Sequence, residues 1–240
     1  MELYNRLQKE LAALADSHDL RCEQIQLVAR TMTAEEAIGT PEKKDFPLLG
    51  GREVMLEASF LGGRGEAYTS MPGHYTGSLD DLLALPLQND FERACLVAGT
   101  NAVMRQLGLV ERTVHCRDQD PERCAKKLVQ YVSERFGTPR ICFIGFQPAM
   151  IAALARSFPI RVVDLDERNI GQKKYDVLIR GPEETEACID WAQIILATGS
   201  TSVNATMGTF LGEKPVVFYG VTVAALAQTH GYERFCPCAY

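Results

Sequence analysis

The pattern of apolar positions changes period several times along the first 110 residues. Leucines recur every three or four positions between Leu3 and Leu14, which predicts an amphipathic helix. A second helix is predicted at residues 89–107, where apolar side chains again share one side. Alternating or β-rich patterns predict three strands, at residues 23–29, 54–58 and 65–70. Residues 1–110 are therefore expected to form a small α+β domain with an antiparallel sheet.

Residues 111–240 show a different pattern, in which short apolar runs alternate with helical stretches. A helix is predicted between Asp120, which caps it, and Gly137, which ends it. Five runs rich in β-branched residues predict strands, at residues 140–145, 160–165, 175–179, 193–197 and 216–219. Strands that alternate with helices form parallel sheets with both faces covered. We therefore expect a Rossmann-like α/β domain, separated from the first domain by the polar stretch 108–120.

Composition and charge narrow the class of protein. The chain has 240 residues, of which 46% are hydrophobic and 23% charged, as in globular proteins and unlike disordered or rod-like ones. Its formal charge of −6 gives no general attraction to nucleic acid or to anionic lipid. No apolar stretch approaches the ~20 residues that span a bilayer, and the charged N-terminus lacks a signal-peptide core. We expect a cytoplasmic protein with free thiols that binds a small molecule, not nucleic acid or a membrane.

In an open parallel sheet, ligands bind where the strands end, which selects four short segments. The first is the turn of Gly145, Phe146 and Gln147 before a predicted helix, whose free N–H groups could hold an anion. The second contains Asp164 and Asp166, which follow Gly145 by 19 and 21 residues. This is close to the ~20-residue offset of a carboxylate that binds a ribose. A nucleoside is therefore one candidate ligand, and the alternative is that these acids only cap the following turn.

The third segment, after the strand at 193–197, is rich in small polar residues: Thr198, Gly199, Ser200, Thr201, Asn204 and Thr206. A helix is predicted to follow it, so Asn204 could simply be a helix cap. So many hydroxyls and backbone N–H groups in one loop favour contact with a polar, oxygen-rich or phosphate-bearing ligand. The fourth segment, with Gly220 and Thr222, follows the last predicted strand at the same edge of the sheet.

Residues of the first domain could also reach a cleft between the domains. Asn101 lies on the apolar face of the helix at 89–107, where its amide needs partners from a ligand or from nearby backbone. The stretch at 62–74 adds five polar side chains: Arg64, Glu66, Tyr68, Thr69 and His74. No general base is singled out, and the candidates are Glu66, His74, Asp164 and Asp166.

The sequence contains one short motif of the metal-ligand type. Cys236-Pro-Cys238 brings two thiols close together, which suits a soft metal. No second CxC or CxxC pair completes a four-ligand zinc site. His115-Cys116 is the nearest candidate supplement, but nothing in the sequence places it beside the pair. We therefore assign no metal site, with Cys236 and Cys238 as the remaining candidates.

Four stretches of the second domain share a pattern with a known family. They are Gly145-Phe-Gln-Pro148, Thr198-Gly-Ser-Thr-Ser-Val-Asn204-Ala-Thr206-Met, Pro215-Val-Val-Phe-Tyr-Gly220-Val-Thr222 and His230-Gly231. Together they resemble the putative heavy-metal chelation family, although Gly220-Val221-Thr222 lacks the proline in the middle of that family's turn. Residues 1–110, through Gly65-Glu-Ala67 and Asn101-Ala102, resemble the enolase N-terminal-like domain that precedes this family's Rossmann-like domain.

The resemblance implies a pocket between an enolase N-terminal-like domain, residues 1–110, and a methyltransferase-like Rossmann domain, residues 111–240. It implies condensation or hydrolysis in making pterin-, flavin- or siderophore-like metal chelators, or a wider part in metal handling, and a shared fold alone does not decide between them. We favour an enzyme that uses the cleft, with the cofactor open between an S-adenosylmethionine-like nucleotide and a metal chelate. The alternatives are a non-catalytic protein that binds a metal or a metal chelate, and an interaction module that stabilises a homo-oligomer.

Overall fold

The computed structural model describes residues 2–21, 27–51 and 53–240. Its strands form two sheets, one antiparallel and one mostly parallel, and each sheet lies within one of the two predicted sequence ranges. The strand predicted at 23–29 is found from Leu27 onward, while its earlier positions and Cys22 lie outside the described residues. The mixed α/β fold class predicted from the sequence is confirmed.

The first sheet consists of four antiparallel strands within the described residues: β1 (Leu27–Thr31), β2 (Val54–Phe60), β3 (Gly63–Thr69) and β4 (His74–Gly77). Their order across the sheet is β3-β2-β1-β4. The helices of this part are α1 (Glu2–Ser17), α2 (Ala34–Ile38), α3 (Leu79–Leu83) and α4 (Asp90–Gln106). The short helices α2 and α3 each begin with a capping box, from Thr33 and Ser78 respectively, which satisfies the first backbone N–H groups.

The second sheet has the strands β5 (Ile141–Ile144), β6 (Ile160–Val163), β7 (Lys173–Lys174), β8 (Val177–Arg180), β9 (Ile194–Thr198), β10 (Val216–Tyr219) and β11 (Glu233–Phe235). Its helices are α5 (Asp120–Phe136), α6 (Pro148–Leu154), α7 (Thr185–Trp191) and α8 (Ala224–His230). The order across the sheet is β11-β10-β9-β5-β6-β8-β7, parallel throughout except for the edge strand β7. With the parallel strands counted along the chain, this is the doubly wound Rossmann order.

Helix α5 covers one face of the parallel sheet, as its pattern predicts. Cys124, Leu128 and Val132 are buried on one side of the helix and join the core that contains Phe143 of β5. The helix ends at Gly137, whose φ of 72° is readily adopted only by glycine. All four residues of β5 are buried, which agrees with their unbroken apolar run.

Helix α4 joins the two sheets. One side of it packs on β2 and β3, and it also contacts α8, the helix that follows β10 of the second sheet. Gly65 makes the close approach to β3 feasible, because a Cβ atom there would lie 2.4 Å from the Ala102 N and Ala98 O atoms of the helix. The core on this side is continuous, since Val97 of α4 and Phe218 of β10 belong to one buried cluster.

The helix predicted after the loop at 198–206 is absent. Two short 3-10 turns, Gly199–Ser202 and Met207–Phe210, occupy the connection between β9 and β10 instead. The Oδ1 atom of Asn204 accepts the backbone N–H and the hydroxyl of Thr206, at 3.1 and 2.7 Å, so the chain turns there rather than starting a helix. None of the described helices is long and apolar enough to cross a membrane.

Candidate functional site

A cavity of about 570 Å³ opens at the carboxyl ends of the central strands β5 and β9. After β5 the chain winds outward through β6 and β8, and after β9 it winds the other way through β10 and β11. This is the switch point at which doubly wound sheets bind their ligands. The opposite wall is supplied by the amino-terminal part, including Phe46, Glu53 and Tyr68.

The segments chosen from the sequence meet at this cavity. Thirteen of the fourteen predicted ligand-binding residues line it: Gly145, Phe146, Gln147, Asp164, Asp166, Thr198, Gly199, Ser200, Thr201, Asn204, Thr206, Gly220 and Thr222. They converge because each follows, or lies close after, the end of a parallel strand at the same edge of the sheet. Their contact with a ligand stays a prediction.

Asn101, the fourteenth, lies behind the cavity wall and is fully buried. Its Nδ2 group donates to the carbonyl oxygens of Glu66, Val221 and Thr222 at 3.1–3.3 Å, and its Oδ1 accepts the backbone N–H of Ala225 at 2.8 Å. Of the two roles that the sequence left open, backbone partners account for the whole amide. Asn101 therefore joins the first sheet to the turn after β10.

Most hydroxyl groups in the loop after β9 donate their hydrogen bonds to other atoms of the same loop. Thr201 donates to the carbonyl of Thr198 at 2.7 Å, and Thr206 donates to Asn204. The hydroxyls of Thr198 and Ser200 lie 3.1 Å apart and share one hydrogen bond. What remains for a ligand is mainly acceptor oxygens, together with the Nδ2 group of Asn204 and one hydroxyl of the Thr198–Ser200 pair.

The turn after β5 is poorly suited to phosphate. Gln147 caps α6 by accepting the backbone N–H of Met150 at 2.5 Å, and Pro148 has no N–H to offer. The space beside Gly145 is taken by the protein, because a Cβ there would lie 2.7 Å from Thr198 Cγ2. This glycine, with a φ of 96°, thus permits close packing of strand ends rather than the approach of a ligand.

The two aspartates after β6 differ in their partners. The carboxylate of Asp164 accepts from the Leu165 N–H and the Asn169 side chain, both at 2.7 Å. Burial nevertheless raises its pKa. Asp166 forms an ion pair with Arg168 at 2.6 Å. Asp164 is therefore the carboxylate of this pair that forms no ion pair with the described side chains.

Glu53 supplies a third carboxyl group, which the sequence did not single out. Burial raises its pKa to about 7, with a further contribution from the negative charges of Asp164 and Asp166. No hydrogen bond or ion pair to this carboxyl is found within the described part of the chain. Because Glu53 precedes β2 and has no regular spacing from Asp164, only the folded chain brings them together.

Tyr68 and His115 form a pair in the same wall. Their Oη and Nε2 atoms are 3.1 Å apart, and the rings meet edge to face. Burial lowers the pKa of His115 to about 4 and raises that of Tyr68 well above its usual value, so both are neutral at neutral pH. Tyr68 N–H also donates to Thr222 Oγ1 at 3.0 Å, which ties β3 to the end of β10.

The remaining candidates from the stretch at 62–74 lie elsewhere, apart from Thr69, which lines the cavity. Glu66 is 1% exposed and accepts the His115 backbone N–H at 2.7 Å, and burial raises its pKa to about 7. Arg64 pairs with Glu57, and His74 is exposed beside Thr76. Neither Glu66 nor His74 contributes to the lining. The carboxyl groups that do line the cavity belong to Glu53, Asp164, Asp166 and Asp90. Of these, Asp90 forms an ion pair with Arg93.

The described lining is acidic. It includes four carboxyl groups and neither a lysine nor an arginine, although Lys174 Nζ lies 4.5 Å from the centre of the Phe146 ring. Across the described residues, no group of three or more His, Cys, Asp or Glu side chains is arranged to hold a metal ion. The cavity therefore favours a neutral or cationic organic ligand over an anionic one.

Comparison with known proteins bears on the fold and on part of the sequence. No curated protein matches the chain. A protein of unknown function from the DUF364 family of Pyrococcus horikoshii has a TM-score of 0.55 and 18% identity, over 92% of this chain and 79% of that one. A second DUF364 protein of unknown function, from Desulfitobacterium hafniense, has a TM-score of 0.49 and 14% identity, over 92% and 85% of the two chains. The first likeness supports the fold alone.

The comparison with family models identifies the part of this sequence that resembles a known family. The model of DUF364, described as putative heavy-metal chelation, matches residues 128–232, which include the turn after β5, the loop after β9 and the turn after β10. The match supports a role in binding a small molecule or a metal. The resemblance seen in the sequence motifs is confirmed, because residues 128–232 match the model of the putative heavy-metal chelation family.

Proposed function

We propose that this chain is an enzyme that binds a small organic molecule in the cavity between its two sheets and transfers a proton through Glu53. The supporting observation is the lining of that cavity, in which a carboxyl group with a pKa of about 7 lies with Asp164 at the switch point of a Rossmann-like sheet. A group that exchanges a proton near neutral pH suits general acid–base catalysis.

The charge of the cavity lining limits the chemical class of the ligand. The lining has four carboxyl groups and neither a lysine nor an arginine, which disfavours phosphate even though Asp90 and Asp166 pair with arginines outside the lining. The capped, proline-initiated start of α6 also removes the usual phosphate cradle. The expectation of a phosphate-bearing ligand is therefore replaced by that of a neutral or cationic one. An S-adenosylmethionine-like nucleoside meets this condition, with Asp164 as the acceptor for its ribose hydroxyls.

The family resemblance adds a substrate class, namely pterin-, flavin- or siderophore-like chelators. These molecules combine a flat or aromatic part with several oxygen and nitrogen donors. In the cavity, Phe46, Phe146 and Tyr219 offer apolar surface, while Asp164 and the loop after β9 offer acceptors. Protonated Glu53 can donate to a departing group in a condensation or hydrolysis, and ionised Glu53 can accept a proton from water or an amine.

Calorimetric titration of the purified full chain with a pterin, riboflavin and a catechol tests the site. Asp164→Asn is expected to lower affinity for the bound probe at least about 10-fold, since a charged hydrogen bond contributes roughly 1.5–3 kcal/mol. Glu183→Gln, an exposed carboxylate outside the lining, is the matched control and should bind like the wild type. Equal affinity of wild type and Asp164→Asn for every bound probe would exclude this cavity as the binding site.

Turnover separates the enzyme from the non-catalytic alternative. Chromatography and mass spectrometry of incubated probes should show a product with the wild type and a loss of product with Glu53→Gln, at unchanged affinity. The alternative is a non-catalytic protein that binds a metal chelate, and the same acidic lining would favour a positively charged chelate. Stoichiometric binding of the 1:1 iron(III)–catechol complex, whose net charge is +1, with no conversion of any probe by the wild type would replace the first proposal with the second.

A further inference from the structure

Four cysteine thiols gather at one end of the cavity. Cys116, Cys124 and Cys236 contribute to its wall, and Cys238 packs against the buried cluster that contains Cys124 and lies beside that thiol. Each of the four is a free cysteine. The pair Cys236 and Cys238, which lacks partners in the sequence, thus acquires two further thiols from distant parts of the chain.

Backbone pairing fixes this convergence. Val114 and Tyr240 exchange two backbone hydrogen bonds, at 3.0 and 2.9 Å, so the C-terminal tail runs beside the segment that leads into α5. The hydroxyl of Tyr240 donates to Asp120 at the start of that helix, at 2.5 Å. Cys124 lies on the buried face of the same helix, which brings it to the thiol of Cys238.

A positive charge stands beside the thiols without a carboxylate partner. The guanidinium of Arg234 donates from Nε to the Gly220 carbonyl at 3.0 Å and from Nη1 to the Glu111 carbonyl at 3.2 Å, and it also contacts the thiol of Cys236. No ion pair to Arg234 is found among the described carboxylates. A half-buried cation held by backbone carbonyls is stabilised by a negative charge at the sulfur cluster.

We propose that Cys124 and Cys238 form a two-coordinate site for a soft monovalent metal ion of the Cu(I) class, with Cys116 and Cys236 beside it. Sulfur donors select soft ions, and hard ions need oxygen ligands. The two thiols release their protons to solvent as the ion binds, which leaves a complex with a net charge of −1 in the thiol cluster that Arg234 adjoins at Cys236. The absence of a three-donor group among the described residues disfavours Zn(II), which needs four ligands.

This metal site is independent of the organic ligand of the proposed function, because it uses neither Glu53 nor Asp164. The ion can arrive through the cavity, whose wall includes Cys124, and Cys238 is itself half-buried rather than enclosed. The other described thiol pair offers no such route. Cys142 and Cys188 contact each other, but they are 0% and 1% exposed and lie outside the lining.

The test is an anaerobic titration of the reduced full chain with Cu(I) held by a chromophoric chelator. The wild type is expected to withdraw one equivalent and to gain the ultraviolet absorption of a copper thiolate. Cys238→Ser should weaken Cu(I) binding by more than about 100-fold, since loss of only a supporting partner costs roughly 10–100-fold in metal affinity. Cys188→Ser, the matched control from the enclosed pair, should bind like the wild type.

Misfolding of Cys238→Ser would also abolish Cu(I) binding, so a second measurement uses only the wild type. Iodoacetamide should label Cys238 in the metal-free wild type, and one equivalent of Ag(I) should protect it, as read by peptide mass spectrometry. Failure of the wild type to take Cu(I) from the chelator, unchanged affinity in Cys238→Ser, or unchanged labelling with Ag(I) would each overturn the proposal.

Discussion

Asn101→Ala is expected to be among the most destabilising single substitutions in this chain, although it removes only a small side chain. Asn101 is fully buried, and its amide makes contacts with β3, with the turn after β10 and with the start of α8. Alanine has a higher intrinsic helix propensity than asparagine, so the substitution does not weaken helix α4 itself. The loss therefore isolates the hydrogen bonds that join the two sheets.

The size of the effect follows from the groups left without partners. The Ala225 N–H loses its acceptor, and a buried unsatisfied donor costs about 1–3 kcal/mol. The carbonyls of Glu66, Val221 and Thr222 lose a shared donor, but Val221 O still accepts the Ala224 N–H at 3.0 Å, so each contributes less. We expect the free energy of unfolding to fall by about 3–4 kcal/mol, or the Tm by roughly 10 °C.

Urea denaturation followed by circular dichroism measures this change against two companion variants. Thr100→Val is the control, because Thr100 is equally buried on the same helix but bonds only to the Leu96 carbonyl one turn away, at 2.8 Å. It should lose about 1 kcal/mol. Asn101→Asp should be worse than Asn101→Ala, since it places a carboxylate against three carbonyl oxygens. An Asn101→Ala loss no larger than that of Thr100→Val, or a stable Asn101→Asp, would refute the reasoning.

Two further predictions concern packing and pH. Gly65→Ala should cost at least about 3 kcal/mol, because its Cβ would lie 2.4 Å from backbone atoms of α4; Gly212→Ala, with open space around it, should change the urea midpoint little. The pKa of Glu53 rises from the usual 4.5 to about 7 on folding, so the folded chain keeps a proton that the unfolded chain has lost, and stability should fall as pH rises between these values. Glu53→Gln should have a shallower fall of the urea midpoint between pH 5 and pH 8, and an equal slope in both proteins would contradict the shifted pKa.

The sequence predicts well which residues lie at the carboxyl edge of the parallel sheet, because one local rule governs their placement. Each buried strand is a short apolar run, and the polar residues that follow it must lie at the carboxyl edge whatever the order of the strands. Gly145, Asp164, Thr198 and Gly220 therefore converge without any knowledge of the topology. The same reasoning fails for Asn101, because a buried amide looks alike whether backbone or ligand satisfies it.

The loop after β9 shows where local pattern reasoning ends. A polar loop before an apolar stretch predicts a helix N-terminus, and Asn204 is a good helix cap. In the structure the Asn204 side chain accepts from Thr206 instead, and Ala205 takes a φ of 62°, so only 3-10 turns form. Local side-chain hydrogen bonds compete with helix formation, and the sequence does not indicate which one prevails.

The groups with shifted pKa values and the thiol cluster depend on contacts between distant segments. Glu53, His115 and Cys116 lie outside residues 128–232, the part that matches the family, whereas the loops at the strand ends lie inside it. The family match therefore bears on the loops that line one side of the cavity, whereas Glu53, His115 and Cys116 belong to the rest of the chain. Proteins can share this platform and still differ in chemistry, because residues such as Glu53 and His115 can change without altering the loops.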